Sequence, residues 1–388
     1  MKGDYTFGLS QSIPTLGGMM FKVGEKLYEL IYPKLLVDDV TFLNCKYIAR
    51  REIDFSTSPP TIGSEELFDI ESASGISNPV VPFRAFMGYD ADNDRILMFV
   101  GNKSGVSDSG TKAFAGSTIK LLSIARDFSS YSIEISDVLS LVKSAYSNID
   151  KILGYAHAWR INGLGVAAVA AYAGSSEVSV ILKDTGSGWV AERHNERYDF
   201  VQERVEPIWD GSTFLGFLTE GHGTNSLWVK TDGSVQAGAP GGLFTTEPVY
   251  DPINNQVIWI EWGSATGDTQ HIWVAPPSNP FNATDKTPSG TLTDNEGNSI
   301  DLATCTKANG HVLSDPYGSK LMVYTSMGGL PSGVFRTLAF NLDISNPELV
   351  YDPNGSDKIT IRGILRCFDL MAGKVAPVPL VIVQVQEA

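Results

Sequence analysis

The reading turns on Glu206–Pro276, which holds one pattern twice. The first copy runs Glu206-Pro207-Ile208-Trp209-Asp210, Phe214-Leu215-Gly216-Phe217-Leu218, Ser226-Leu227-Trp228-Val229. The second runs Glu247-Pro248-Val249-Tyr250-Asp251, Val257-Ile258-Trp259-Ile260, His271-Ile272-Trp273-Val274. Asp251 follows Asp210 by 41 residues, a period within the roughly 40–50 residues of a four-stranded propeller repeat. The apolar runs in each copy are short and nearly continuous. A strand with one wet face alternates, so a strand apolar on both faces needs cover on both sides. Radial stacking of small sheets supplies that cover and leaves only short edges.

Looser echoes lie on either side. Tyr89-Asp90 leads into Ile96-Leu97-Met98-Phe99-Val100, and after a polar loop through Gly116 comes Ile119-Lys120-Leu121-Leu122. Asp315-Pro316-Tyr317-Gly318 precedes Leu321-Met322-Val323-Tyr324 and Phe335–Phe340. The last unit starts at Tyr351-Asp352-Pro353 and ends on Leu380–Gln386. Between them, Gly163–Tyr172 reads as a strand of small residues with Glu177–Leu182 as its hairpin partner. The fold expected is all-β, a propeller of about six blades with five to seven allowed.

Two segments break this texture. In Phe21–Ile31 the apolar Val23, Leu27, Leu30 and Ile31 are spaced as on a short helix stopped by Pro33. Residues 1–38 are therefore read as an N-terminal arm with a short helix, and 39–388 as the propeller domain. Over 136–153, Val138, Leu141, Val142, Ala145, Ile149, Ile152 and Leu153 recur every three or four residues, and Ser136 or Asp137 can cap the start. One inserted amphipathic helix is expected there.

The pattern resembles six-bladed propellers of the TolB type, carried by Pro207-Ile208-Trp209-Asp210-Gly211 with Leu227-Trp228-Val229, and by Pro248-Val249-Tyr250-Asp251 with Ile272-Trp273-Val274. The resemblance covers about residues 206–276 and implies a blade architecture with no activity attached.

Composition narrows the function classes. The chain has 388 residues, 19% of them charged, with 38 Gly and 20 Pro, which suits short strands and tight turns. Its net charge of −15 argues against nucleic acid or an anionic membrane as partner. No run of 18 apolar residues is present, so no membrane-spanning helix is expected, and the N-terminus lacks the basic-then-apolar signal pattern. Cys45, Cys305 and Cys367 are far apart and fit neither a disulfide framework nor a metal spacing.

Reactive constellations are sparse. Asp90, Asp92 and Asp94 alternate as in a calcium loop, but the sixth and twelfth positions are Arg95 and Gly101 where such a loop needs Gly and Glu. A plain turn accounts for them, so no metal and no cofactor is expected. The five histidines form no metal motif, and His271 is read as a strand-surface residue. No Gly-x-Ser-x-Gly elbow and no phosphate or dinucleotide loop occurs.

Two functional readings follow. The main one is a non-catalytic structural or interaction protein, a virion or surface-assembly subunit. Its arm would anchor it to other protein subunits or to copies of itself, and its loops 101–118 and 276–300 would meet a receptor or glycan. The second is a propeller enzyme acting on carbohydrate through a central carboxylate pair, with Asp199, Glu206 and Glu247 as the residues to test. An intracellular scaffold is a third.

Overall fold

The computed structural model describes residues 19–23, 26–31, 42–54, 61–82, 87–106, 112–174, 176–197, 205–210, 213–219, 226–238, 249–251, 254–261, 271–287, 290–293, 299–301, 312–314, 320–326, 335–341, 348–351, 358–369 and 376–386. These residues are overwhelmingly strand, with two α-helices and one 3-10 turn among them.

Most strands are gathered into four-stranded antiparallel meanders joined in sequence order; the second and third of these, given below as sheets, are linked edge to edge by a parallel pairing of Asp90 with Arg160 into one ten-stranded sheet that also takes in Lys103–Val106 and Lys112–Phe114. The second sheet holds Met87–Asp90, Arg95–Val100, Lys120–Ala125 and Tyr131–Ile135. The third holds Ile149–Ile161, Leu164–Ala173, Ser176–Asp184 and Trp189–Arg197. The fourth is Val205–Asp210, Thr213–Thr219, Ser226–Lys230 and Val235–Gly238. The fifth is Val249–Asp251, Gln256–Glu261, His271–Ala275 and Thr284–Asp285. The sixth is Val312–Ser314, Lys320–Ser326, Phe335–Asn341 and Glu348–Tyr351. The two copies of the repeated pattern are thus the fourth and fifth sheets.

The first sheet takes strands from both ends of the chain. Met19–Val23 pairs antiparallel with Lys26–Ile31, which pairs with Tyr47–Asp54. On its other side Met19–Val23 runs parallel to Lys358–Asp369, with Met19 beside Arg366 and Met20 beside Cys367, and Ala376–Gln386 closes that edge. The short helix expected over 21–31 is therefore corrected to a β-hairpin. Helical spacing there was matched by four apolar residues, but Gly24 interrupts the run, and a glycine inside a helix costs about 1 kcal/mol. Residues 1–18 lie outside the described residues.

The inserted helix is real but half as long as expected, Val138–Ala145. Asp137 caps it, its carboxylate accepting the Ser140 N–H at 2.9 Å. A turn at Tyr146–Asn148 ends it, with the Ile149 N–H returning to the Tyr146 carbonyl. Ile149, Ile152 and Leu153 belong instead to the strand Ile149–Ile161, where β-branched side chains fit the pleat.

Apolar runs are explained by cover on both faces. In Arg95–Val100, Ile96, Met98 and Val100 join a buried cluster with Cys45 and with Ile48 and Phe68 of the first sheet, which also takes in Glu66–Asp69. Leu97 and Phe99 face a second cluster with Ala156, Ala158, Ala167 and Val169 of the third sheet, which Val138 and Val142 of the helix also enter. The fourth sheet repeats the arrangement. Trp209, Phe217 and Val229 are buried with Trp159 and Val166 of the third sheet, while Ile208, Leu218 and Trp228 are buried with Val257 and Trp259 of the fifth. Each of these sheets is sandwiched between its neighbours in chain order.

First strands of successive sheets touch one another: Met87–Asp90 with Ile149–Ile161, that strand with Val205–Asp210, then Val249–Asp251, then Val312–Ser314. The approach is closest at Gly88, where an added Cβ would lie 1.5 Å from the Ala158 carbonyl oxygen. Only a glycine lets the two backbones meet there.

Candidate functional site

The two ends of the fourth and fifth sheets differ. One end carries the shorter connections, residues 211–212 and 231–234 in the fourth sheet and the eight residues 276–283 in the fifth. The other carries the longer connections: residues 198–204 enter the fourth sheet, 220–225 join its second and third strands, and 239–248 and 262–270 do the same for the fifth. Binding residues concentrate where variable loops meet a rigid scaffold, and buried polar side chains gather at this end.

Glu206 is second in the strand Val205–Asp210 and pairs in register with Leu218. Strand alternation puts it with Ile208 on the face toward the fifth sheet, and it is 1% exposed. A carboxylate at that depth has to be met by polar groups, since burying one in apolar surroundings is prohibitive. One residue earlier, the Val205 N–H donates to Nδ1 of His157 at 3.2 Å, tying the first strands of the third and fourth sheets together. His157 is buried, its Nδ1 is the accepting nitrogen, and its ring meets Trp159 edge-on at 6.0 Å. Thr219 Oγ1 accepts the Leu227 N–H at 3.0 Å. The Ser226 hydroxyl, 1% exposed, has no hydrogen-bond partner among the described residues.

A second polar group lies on the fifth sheet. His271 Nδ1 is 2.7 Å from Asp285 Oδ2. Asp285 Oδ1 accepts both the N–H and the hydroxyl of Thr287, at 2.8 and 2.5 Å, and the Thr287 hydroxyl oxygen accepts the Ile272 N–H at 2.9 Å. Burial works to raise the Asp285 carboxyl, but the Thr287 bonds and His271 outweigh it and hold the group below its ordinary value. Nothing in the sequence flags this pair, because the two residues are fourteen apart and meet only through the strand pairing Trp273 with Asp285.

Asp90, Asp92 and Asp94 are brought to one turn but look in different directions. Asp90 accepts the N–H groups of Asp92 and Asn93 and meets Arg160 at 3.0 Å. Asp92 accepts the N–H groups of Asn162 and Gly163, both at 2.7 Å. Asp94 accepts the Tyr89 hydroxyl and pairs with Arg126. Burial first, and Asp94 second, push the Tyr89 hydroxyl above the usual tyrosine range. Among the described residues no group of three or more His, Cys, Asp or Glu side chains is placed to hold a metal ion. The turn is instead the root of an ionic hub. Arg160 reaches Asp90, Glu134 at 3.3 Å and Asp184 at 2.6 Å, with its guanidinium 5.4 Å from the Trp189 ring. Burial opposes its charge, but the three carboxylates prevail and hold it above the ordinary arginine value.

Asp199 and Glu247 lie outside the described residues, so of the three carboxylates proposed from sequence only Glu206 has a described position. No helix among the described residues is long and apolar enough to cross a membrane.

No protein-family model matches the chain, and no curated protein does. Solved structures do match. A Trypanosoma rangeli sialidase in complex with sialic acid shares 12% identity over 84% of this chain and 54% of its own, with a TM-score of 0.42. A GH43_1 enzyme from Xanthomonas citri shares 9% over 72% and 78%, with a TM-score of 0.29. An exo-1,5-α-L-arabinanase from a bovine ruminal metagenomic library shares 9% over 69% and 96%, with a TM-score of 0.29. The chain spans about half the length of the sialidase it matches. These neighbours are carbohydrate-active enzymes, and the expectation of a non-catalytic virion or surface-assembly subunit is corrected on that finding. Its structural premise changes too, since Met19–Val23 and Lys26–Ile31 are strands of the first sheet.

Proposed function

We propose that the chain is a propeller of about six four-stranded units and that it acts on carbohydrate, with Glu206 as one of its catalytic carboxylates. The observation that carries the reading is the position of Glu206. It is an almost fully buried carboxylate on the first strand of its sheet, at the end with the longer connections, one residue from the amide that His157 accepts. First strands that touch in succession form the inner wall of a radial stack. A carboxylate on that wall is where a glycosidic bond would be met by acid and base. The sequence candidates for the second carboxylate are Asp199 and Glu247, which precede in the chain the strands that begin the fourth and fifth sheets.

Glycoside hydrolysis uses two such groups. At about 5–5.5 Å the second is a nucleophile and configuration is retained; at about 6.5–9.5 Å a water fits between and configuration inverts. The test is hydrolysis of a panel of neutral and sialylated oligosaccharides. Glu206→Gln is expected to remove activity by about 10²–10⁴-fold while leaving the fold intact. The same panel with Asp199→Asn and Glu247→Gln separates the second role. A native protein that cleaves nothing on the panel, or a Glu206→Gln variant with full activity, overturns the proposal.

A further inference from the structure

The strand Val205–Asp210 begins its sheet, so one of its edges pairs with Thr213–Thr219 and the other faces away from that ladder. Along a strand, successive N–H groups point to opposite edges. The Val205 N–H leaves the ladder and donates to Nδ1 of His157 at 3.2 Å. Two residues on, the same edge comes round to Pro207, which has no N–H to place there. Glu206 lies between these two positions, and each constrains it. On its N-terminal side the backbone is tied to the third sheet through His157. On its C-terminal side stands a proline, and a residue before proline is confined to extended conformations. His157 is itself firmly held. It lies opposite Ala168 in the strand Ile149–Ile161, and strand alternation puts it on the face of Trp159 and Ile161, which are buried with Val205 and Trp209 of the fourth sheet. The ring is 1% exposed and meets Trp159 edge-on. A nitrogen that accepts an amide N–H carries no proton, so the neutral ring has its proton on Nε2.

A catalytic carboxyl works only when it is held within about 0.5 Å of its productive place, by neighbours that are locked themselves. We propose that His157 is a positioning residue for Glu206. By accepting the Val205 amide it fixes the backbone that carries the carboxylate, and Pro207 fixes that backbone from the other side. The role rests on the reading of Glu206 as a catalytic carboxylate and adds to it the device that holds this carboxylate in place. His157 acts through the main chain, so what it contributes is an acceptor at the position of Nδ1. A side chain that puts an acceptor elsewhere, even a polar one of similar size, does not replace it.

Variants of the full chain separate this role from packing. In His157→Asn the side-chain oxygen takes the place of Nδ1 and still accepts the Val205 N–H. In His157→Gln the amide reaches the place of Nε2 and leaves that N–H without its acceptor. On the oligosaccharide panel, His157→Gln is expected to lower kcat about 10–100-fold with KM within about threefold of the native protein, the pattern of a displaced catalytic group. His157→Asn is expected to bring kcat back to within about threefold. A second readout needs no turnover. With ¹³C-carboxyl glutamate, and Glu206 assigned by the signal that Glu206→Gln removes, the Glu206 signal is expected to move or broaden in His157→Gln and to hold its place in His157→Asn. Pro207→Ala, which leaves His157 untouched, is expected to act in the same sense on both readouts and carries the test where a His157 variant does not fold; there, native kcat with a native Glu206 signal overturns the proposal. Turnover in which His157→Gln and His157→Asn behave alike overturns the positioning role and leaves the Glu206 reading standing. A panel left uncleaved, with the Glu206 signal moved in His157→Gln alone, overturns the enzyme and keeps the tie between His157 and Glu206. No cleavage with an unmoved signal overturns both.

Discussion

Replacing Arg160 with Met tests whether the ionic hub holds the second and third sheets together. The hub joins strands far apart in sequence: Arg160 ends the first strand of the third sheet, Asp90 the first strand of the second, and Asp184 the third strand of the third. Asp90 is 1% exposed, so removing the guanidinium leaves a buried charge without its cation. Breaking a buried pair this way costs about 3–5 kcal/mol. The lower end applies, because the Asp92 and Asn93 N–H groups still serve Asp90 and the Gly186 and Gly188 N–H groups still serve Asp184. Spread over 388 residues at about 2.1 cal/mol/K each, the unfolding entropy is about 0.8 kcal/mol/K, so about 3 kcal/mol lowers Tm by about 4 °C if the chain melts as one unit. Because the carboxylates hold the guanidinium above its ordinary value, its contribution is complete below that ordinary value and is lost as pH rises through the raised folded one, far above the neutral range. Scanning calorimetry at pH 7 gives the shift. Asp184→Asn, which leaves Arg160 two carboxylates, is expected to cost less than Arg160→Met. A Met variant within 1 °C of the native protein, or an Asp184→Asn shift larger than the Met shift, refutes the reasoning.

Gly88→Ala puts a methyl into the Ala158 carbonyl, backbone against backbone, and is expected to prevent soluble folding or lower Tm by more than Arg160→Met does. Gly63→Ala, whose Cβ meets nothing nearer than 3.4 Å, is the near-neutral control. Asp137→Ala removes the cap on Val138–Ala145 and is expected to cost about 1 kcal/mol, read as a lower urea midpoint at unchanged slope. Burial pushes the Cys45 thiol far above its ordinary value. A raised folded pKa means its share of stability is complete below the unfolded thiol value near pH 8.5 and falls by about 1.4 kcal/mol per pH unit above it. Urea melts from pH 7 to 10 should show that fall, and Cys45→Ala should flatten it; a Cys45→Ala slope equal to the native one contradicts the assignment.

The sheets were legible because their signal is local. Trp209-Asp210 and Tyr250-Asp251 mark the end of a first strand, and the run after each turn can only be a second strand covered on both faces. The hairpin Met19–Ile31 was misread because four apolar residues satisfy a 3.6-residue period as well as a strand that is apolar throughout. Partners would have decided it, and one of them, Lys358–Asp369, lies more than three hundred residues away. The helix over 136–153 failed at its second half for a related reason: Ile149 and Ile152 continue the helical spacing, but their strand is paired with Leu164–Ala173, outside any local window.

The candidate site was legible only where the repeat passed through it. Glu206 stands out because the pattern begins on it and strand alternation then assigns it a face. His157 shows no motif at all; its role depends on the third sheet's first strand touching the fourth's, so that Nδ1 meets the Val205 amide. His271 and Asp285 likewise become a unit only through the hairpin that places Asp285 beside Trp273. A repeat constrains the residues that build each sheet and leaves free those at its ends. Chemistry in such a chain therefore accumulates where neighbouring sheets present unlike residues, and the fourth and fifth differ in this way. Ser226 and His271 open the corresponding third strands of two copies of one pattern, and only the second copy has an aspartate fixed beside it.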